Sequence, residues 1–189
     1  TVPLKALLHE AQTRCLKTLQ ARGTNLAADD IEEAARIMGM AAIKYSDLQN
    51  NRLTNYTFSY DRMLDMKGNT AVYLLYTHAR VSSILSRSED KDLKKFDVDE
   101  NTLENEKERA LAIAILKLPD ALDSLVQELL PSRLCDYAYN LCVSFNEFYS
   151  CCKVIGSDDE TTRLILCQGT AIALRRALHI LGIEPLYKL

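Results

Sequence analysis

The sequence predicts an all-α helical bundle, and three observations carry that prediction. Gly (6) and Pro (4) are scarce among 189 residues, so chain breakers are few. Ala and Leu, both strong helix formers, recur throughout. Apolar residues return every three or four positions in nearly every segment, the period of a helix with one buried face. A hydrophobic content of 48% suffices for one sizeable core or two small packed units.

The elements follow in order. Leu4, Leu7, Leu8, Ala11, Cys15 and Leu19 form a first helical stripe, which Gly23 stops. A second helix is expected from around Ala28–Asp30, with acidic residues at its front and the stripe Ile31, Ala34, Met38, Ala41, Tyr45 and Leu48. Asn50-Asn51 ends it. Tyr56-Thr57-Phe58-Ser59-Tyr60 alternates and predicts a brief extended stretch. Gly68-Asn69 supplies a break and a cap for a long helix over roughly 70–88. The polar run Ser86 to Lys95 is expected to be a loop and the boundary between a first helical unit and the remainder. Helices of about 100–118, 120–130 and 132–150 follow, separated by Pro119 and Pro131-Ser132. Ser157-Asp158-Asp159-Glu160 has the form of a capping box and opens the last helix, which Gly182 closes.

Composition excludes several function classes. No apolar run approaches the ~20 residues that span a bilayer, and no signal-peptide pattern is present. The start Thr1-Val2-Pro3 lacks an initiator Met, so a fragment or a recombinant product is expected. Six cysteines and three scattered histidines (His9, His78, His179) match no zinc spacing. The cysteines are expected to be reduced, mostly buried thiols in a cytoplasmic compartment, with no metal bound. The paired carboxylates Asp29-Asp30 and Asp158-Asp159 sit at helix starts, where capping rather than acid–base chemistry explains them. The formal charge of -3 divides unevenly. Residues 1–95 carry 14 Lys/Arg against 11 Asp/Glu, whereas 96–189 carry 9 against 15. Any basic surface is therefore expected chiefly in the first half.

One helix has two informative faces. At about 100° per residue, Ala71, Leu74, Leu75, His78, Val81 and Leu85 share an arc of about 120°, the core side. A second arc of about 80° holds Asn69, Tyr73, Tyr76, Arg80, Ser83 and Arg87. Tyrosine rings offer stacking planes for unpaired bases, and guanidiniums pair with phosphates or base edges. The competing reading packs both tyrosines against another helix with Arg80 laid over them. His78 falls on the core arc and reads as a packing residue.

Tyr60-Asp61-Arg62-Met63-Leu64-Asp65, then Gly68-Asn69-Thr70-Ala71 and Tyr73-Leu74-Leu75-Tyr76, resemble arginyl-tRNA synthetases. Lys44-Tyr45-Ser46-Asp47-Leu48 with Asn51-Arg52 is similar to the segment preceding that passage in the family. Leu181-Gly182-Ile183-Glu184-Pro185 resembles the family's tail. The resemblance implies a bundle of the class Ia synthetase anticodon-binding type over 67–189, with 1–66 as the end of the catalytic region and connecting helices. It implies that the chain holds the anticodon arm of tRNA(Arg), with the catalytic half of the same chain as a second partner. Tyr73, Tyr76, Arg80 and Tyr149 are similar to anticodon-pocket residues. Leu189 stands where the last side chain reaches that pocket, and Lys153 falls near a second aromatic of some members. The family tail usually ends Arg-Met, whereas this one ends Tyr187-Lys188-Leu189.

The class I His-x-Gly-His signature and lysine loop, which stabilise ATP phosphates, are absent from the sequence. His9 is followed by Glu10. The resemblance places the nucleotide-binding loop upstream of Thr1, so the parent enzyme would use ATP with Mg while this part has no catalytic residues and no cofactor. Two other readings remain open at this point. One is the similar helical domain of another class I or glycyl-type synthetase; the other is a helical protein-interaction scaffold, which the negative charge favours.

Overall fold

In a computed structural model, which describes residues 2–23, 26–88 and 103–189, every regular element among the described residues is a helix. The elements are α1 (Leu4–Arg22), α2 (Ala28–Leu48), α3 (Tyr60–Met63), α4 (Ala71–Ser86), α5 (Glu106–Leu116), α6 (Leu118–Glu128), α7 (Ser132–Cys151) and α8 (Glu160–Ile180). Gly23 ends α1 in the left-handed region at φ 66, as a C-terminal glycine does. Its stripe is buried from Ala11 onward, whereas Leu4 is exposed. Helices α1 and α2 meet at their midpoints. A Cβ on Gly39 would lie 2.6 Å from the backbone nitrogen of Gln12, so the approach depends on glycine.

Several helix starts differ from the sequence expectation. Thr70, not Asn69, caps α4: its hydroxyl accepts from the Tyr73 amide and donates to the Asp65 carbonyl. Gly68 turns the chain at φ 81, and Asn69 is spent elsewhere, accepting from the buried Tyr45 hydroxyl at 2.5 Å. That hydroxyl also lies 2.9 Å from the Cys135 carbonyl, so one side chain links α2, the turn before α4, and α7. Ser157 does not cap α8. Its hydroxyl bonds the Val154 carbonyl, and Glu160 reaches back to the Gly156 amide instead. The capping box belongs to α5, where Asn105 and Glu108 bond each other's backbone. Pro119 falls in the first turn of α6 and separates nothing, because α5 has already ended by Lys117. The stretch before Tyr60 is irregular, with Ser59 extended and capping the short α3. Residues 100–102, and 89–95 of the expected loop, lie outside the described residues.

Ser86–Lys95 does not divide the chain into two units. Helix α4 lies against α8, α2 and α7, and α7 packs in turn on α5, α6 and α8. One core runs from Cys15 and Leu19 through Tyr45, Leu74 and Leu75 to Phe145, Phe148 and Leu174. At its edge the buried Glu108 pairs with Arg163 at 2.7 Å, tying α5 to α8. Arg163 also bonds the Lys153 carbonyl and Asp159. All six cysteines are free, and only Cys151 is exposed. Burial pushes the Cys15 thiol up to about 11 and those of Cys135, Cys142 and Cys167 up to about 12.

After α8 the chain folds back over α4. Ile183 donates to the Leu178 carbonyl at 2.8 Å and Gly182 to that of His179, a Schellman closure with Gly182 at φ 68. Lys44 bonds the Gly182 carbonyl, and His78 Nδ1 lies 2.7 Å from that of Leu186. These contacts aim Tyr187, Lys188 and Leu189 at one end of α4.

Candidate nucleic-acid interface

The outward arc of α4 opens onto a shallow groove of about 850 Å³. Helix α4 contributes Tyr76 and Arg80 together with its C-cap residue Arg87, α7 contributes Tyr149, and the tail contributes Tyr187, Lys188 and Leu189. Leu26, Ala27 and Asp30 form the wall on the α1–α2 side. The rim thus carries three cationic side chains from residues 80–188 against one side-chain carboxylate, although the chain as a whole is acidic.

Of the six residues singled out in the sequence, the fold gathers four: Tyr76, Arg80, Tyr149 and Leu189. Tyr149 is partly exposed and stacks on the buried Phe145, with ring planes 15° apart and centroids 5.9 Å apart. The Arg80 guanidinium sits 5.9 Å from the Tyr149 ring. Its Nη1 donates to Asn146 Oδ1 at 2.6 Å.

Tyr73 and Lys153 stand outside this lining. Tyr73 is half-buried at the seam of α4 and α7, with its ring 5.7 Å from that of Tyr139. Its hydroxyl accepts from Asn146 Nδ2 at 2.9 Å, and burial raises its pKa even though that hydrogen bond opposes the shift. The Lys153 side chain folds toward Gly156: a Cβ placed there would be 3.7 Å from the ammonium nitrogen.

Two residues that sequence reasoning missed complete the arrangement. Asn146 joins Arg80, Tyr73 and Thr77, and its position three residues before Tyr149 on α7 was a readable signal. Arg22, at the end of α1, holds its guanidinium 5.2 Å from the Tyr76 ring. Nothing local in the sequence pairs residue 22 with residue 76; only the fold does.

The residues that form this groove on α4, α7 and the tail fall in a match to the DALR anticodon binding domain, which covers residues 74–189. The chain belongs to the DALR anticodon-binding family. Upstream of the DALR domain, residues 1–60 match the catalytic domain of class I tRNA synthetases (R). An Arabidopsis thaliana chloroplastic/mitochondrial arginine–tRNA ligase is 47% identical over 192 residues, covering all of this chain and 30% of that protein. The cytoplasmic arginine–tRNA ligase of the same plant is 44% identical, with 100% and 32% covered. Among solved structures, arginyl-tRNA synthetase from Plasmodium falciparum superposes with a TM-score of 0.89 at 35% identity, covering 100% of this chain and 34% of that one. The Thermus thermophilus arginyl-tRNA synthetase gives 0.91 at 27% identity, with 100% and 32% covered. The chain spans about a third of the length of these relatives.

Proposed function

We propose that this chain is the tRNA-holding part of an arginine–tRNA ligase, and that its DALR domain grips the anticodon arm of tRNA(Arg). The observation that carries the reading is the groove, which unites the rings of Tyr76, Tyr149 and Tyr187 with the cations of Arg80, Arg87 and Lys188 and the apolar Leu189. Tyr76 and Tyr149 offer planes for splayed loop bases, each stacked base contributing ~1–3 kcal/mol. Arg80, Arg87 and Lys188 face the strand's phosphates. Tyr73 and Asn146 hold Arg80 from behind, and Leu189 adds apolar bulk to the pocket. Lys153 serves as a peripheral phosphate contact.

In this reading residues 1–66 are the end of the catalytic region and its connecting helices, and 67–189 form the anticodon-binding bundle. The catalytic half of the parent chain supplies ATP and Mg chemistry, while this part has no catalytic residue and no cofactor of its own. The compartment is cytoplasmic, which suits six free thiols. Among the described residues no helix is long and apolar enough to cross a membrane.

The test is binding of an anticodon stem–loop of tRNA(Arg) against the same stem carrying a different loop, titrated at fixed salt. Tighter binding of the arginine loop is expected. Equal affinity for both loops, with the fold intact, would count against the assignment and favour a scaffold without RNA selectivity.

A further inference from the structure

Arg22 reaches the groove from outside the DALR domain. It is the last residue of α1, which Cys15 and Leu19 anchor in the core, and Gly23 turns the chain away immediately after it. Its guanidinium carbon stands 5.2 Å from the centroid of Tyr76, a groove residue on a different helix. Leu26 and Ala27, just before α2, and Asp30 in its first turn line the same groove. One wall of the groove therefore comes from the start of α2 and the two residues before it, within the part that matches a synthetase catalytic domain.

We infer that Arg22 is a further RNA-contacting residue, pairing with a backbone phosphate of the nucleotide whose base stacks on Tyr76. The inference rests on the anticodon-arm reading above. An exposed guanidinium over a tyrosine ring is a weak contact that a base can replace, because both use the same π face. Once displaced, the guanidinium stays tethered to a rigid helix end beside the stacked nucleotide. A phosphate of that nucleotide then offers an anionic acceptor, which guanidinium matches through paired N–H donors. Arg80 differs: its guanidinium is already bonded to Asn146 and lies against Tyr149. Arg22 thus supplies a charge held in reserve over the ring, and RNA binding hands it from ring to phosphate.

The full 189-residue chain, as wild type, Arg22→Ala, Arg22→Lys and Arg80→Ala, is titrated with the tRNA(Arg) anticodon stem–loop over a series of salt concentrations. Thermal melts are recorded alongside. Arg22→Ala should weaken binding on the order of three- to tenfold at low salt and reduce the slope of log K against log salt by about 1, with an unchanged melt. Arg22→Lys should restore the slope, because the charge is kept. Unchanged affinity and slope in Arg22→Ala overturn the inference. Tighter binding also overturns it, since Arg22 would then be only a lid on Tyr76. If wild type binds and Arg80→Ala weakens it while Arg22→Ala is silent, the Arg22 assignment falls alone. If folded wild type shows no binding to the stem–loop, the anticodon reading falls and Arg22 with it.

Discussion

Tyr73 and Tyr76 lie three residues apart on one arc of α4, yet they meet different surroundings. Tyr76 borders the groove, whereas the Tyr73 hydroxyl accepts from Asn146 and its ring lies against Tyr139. Tyr76→Ala should therefore weaken stem–loop binding by ~1–3 kcal/mol with little change in melting temperature. Tyr73→Ala should lower stability by ~1–3 kcal/mol, through a lost ring contact and a lost hydrogen bond from Asn146, and should weaken binding only through the loosened Arg80. Paired melts and titrations of both variants check this; matching profiles for the two would refute the distinction. The 3.6-residue period places both tyrosines on one face, but it carries no information about which helix covers half of that face. Helix α7 does so with Asn146, and the crossing of α4 and α7 is a tertiary fact. The same limit hid Arg22, while Tyr149 and Leu189 were legible only through family resemblance.

At the scale of elements, the helices themselves were legible and their caps were less so. Periodicity located the seven long helices among the described residues, because each buries one stripe in a shared core. The caps went astray where two polar residues competed for one role. Thr70 took the cap expected of Asn69 because Tyr45 claims the asparagine, and Glu108 serves both a capping box and the Arg163 pair. The tail's attachment to α4 has a pH consequence. His78 is buried, its Nδ1 bonds the Leu186 carbonyl, and its Nε2 has no hydrogen-bond partner. Burial lowers its pKa below the usual 6.5, although the Leu186 hydrogen bond opposes the shift and Arg175 reinforces it. The unfolded chain then takes up this proton more readily than the folded one. The stabilising effect is whole above about pH 6.5 and is lost as the pH falls below that value. The other ring facing His78 is that of Tyr187, and His9 and His179 are exposed. Melting temperature should drop between pH 7.5 and 5.5, and the drop should shrink in His78→Gln. An equal drop in the variant would remove His78 as its source.

For the whole molecule, the all-α class followed from composition and period, whereas the internal boundary did not. A polar run such as Ser86–Lys95 marks a loop in sequence, but whether a loop divides two cores depends on what its flanking helices touch. Here α4 is covered by α8 and α7 from beyond that run and by α2 from before it, so the core stays continuous. The Tyr45 hydroxyl, shared between Asn69 and the Cys135 carbonyl, locks the α1–α2 pair onto the DALR domain. This continuity bears on catalysis. A segment matching a synthetase catalytic domain is present, yet it contributes a helical pair and a groove wall. Adenylate formation needs cationic and hydrogen-bonding groups aimed at the phosphates in the transition state. None of the three histidines forms a His-x-Gly-His signature: His9 precedes Glu10, His78 is buried against the tail, and His179 sits in the last turn of α8. The cations that do converge lie around tyrosine rings, where the proposed function seats a strand's backbone. Purified chain is therefore expected to show no arginine-dependent ATP–pyrophosphate exchange above background, and no charging of tRNA(Arg), while retaining stem–loop binding. Exchange that scales with protein concentration and persists through repeated purification would show that the helical pair carries chemistry after all. Loss of stem–loop binding by the same folded preparation would count against the anticodon reading itself.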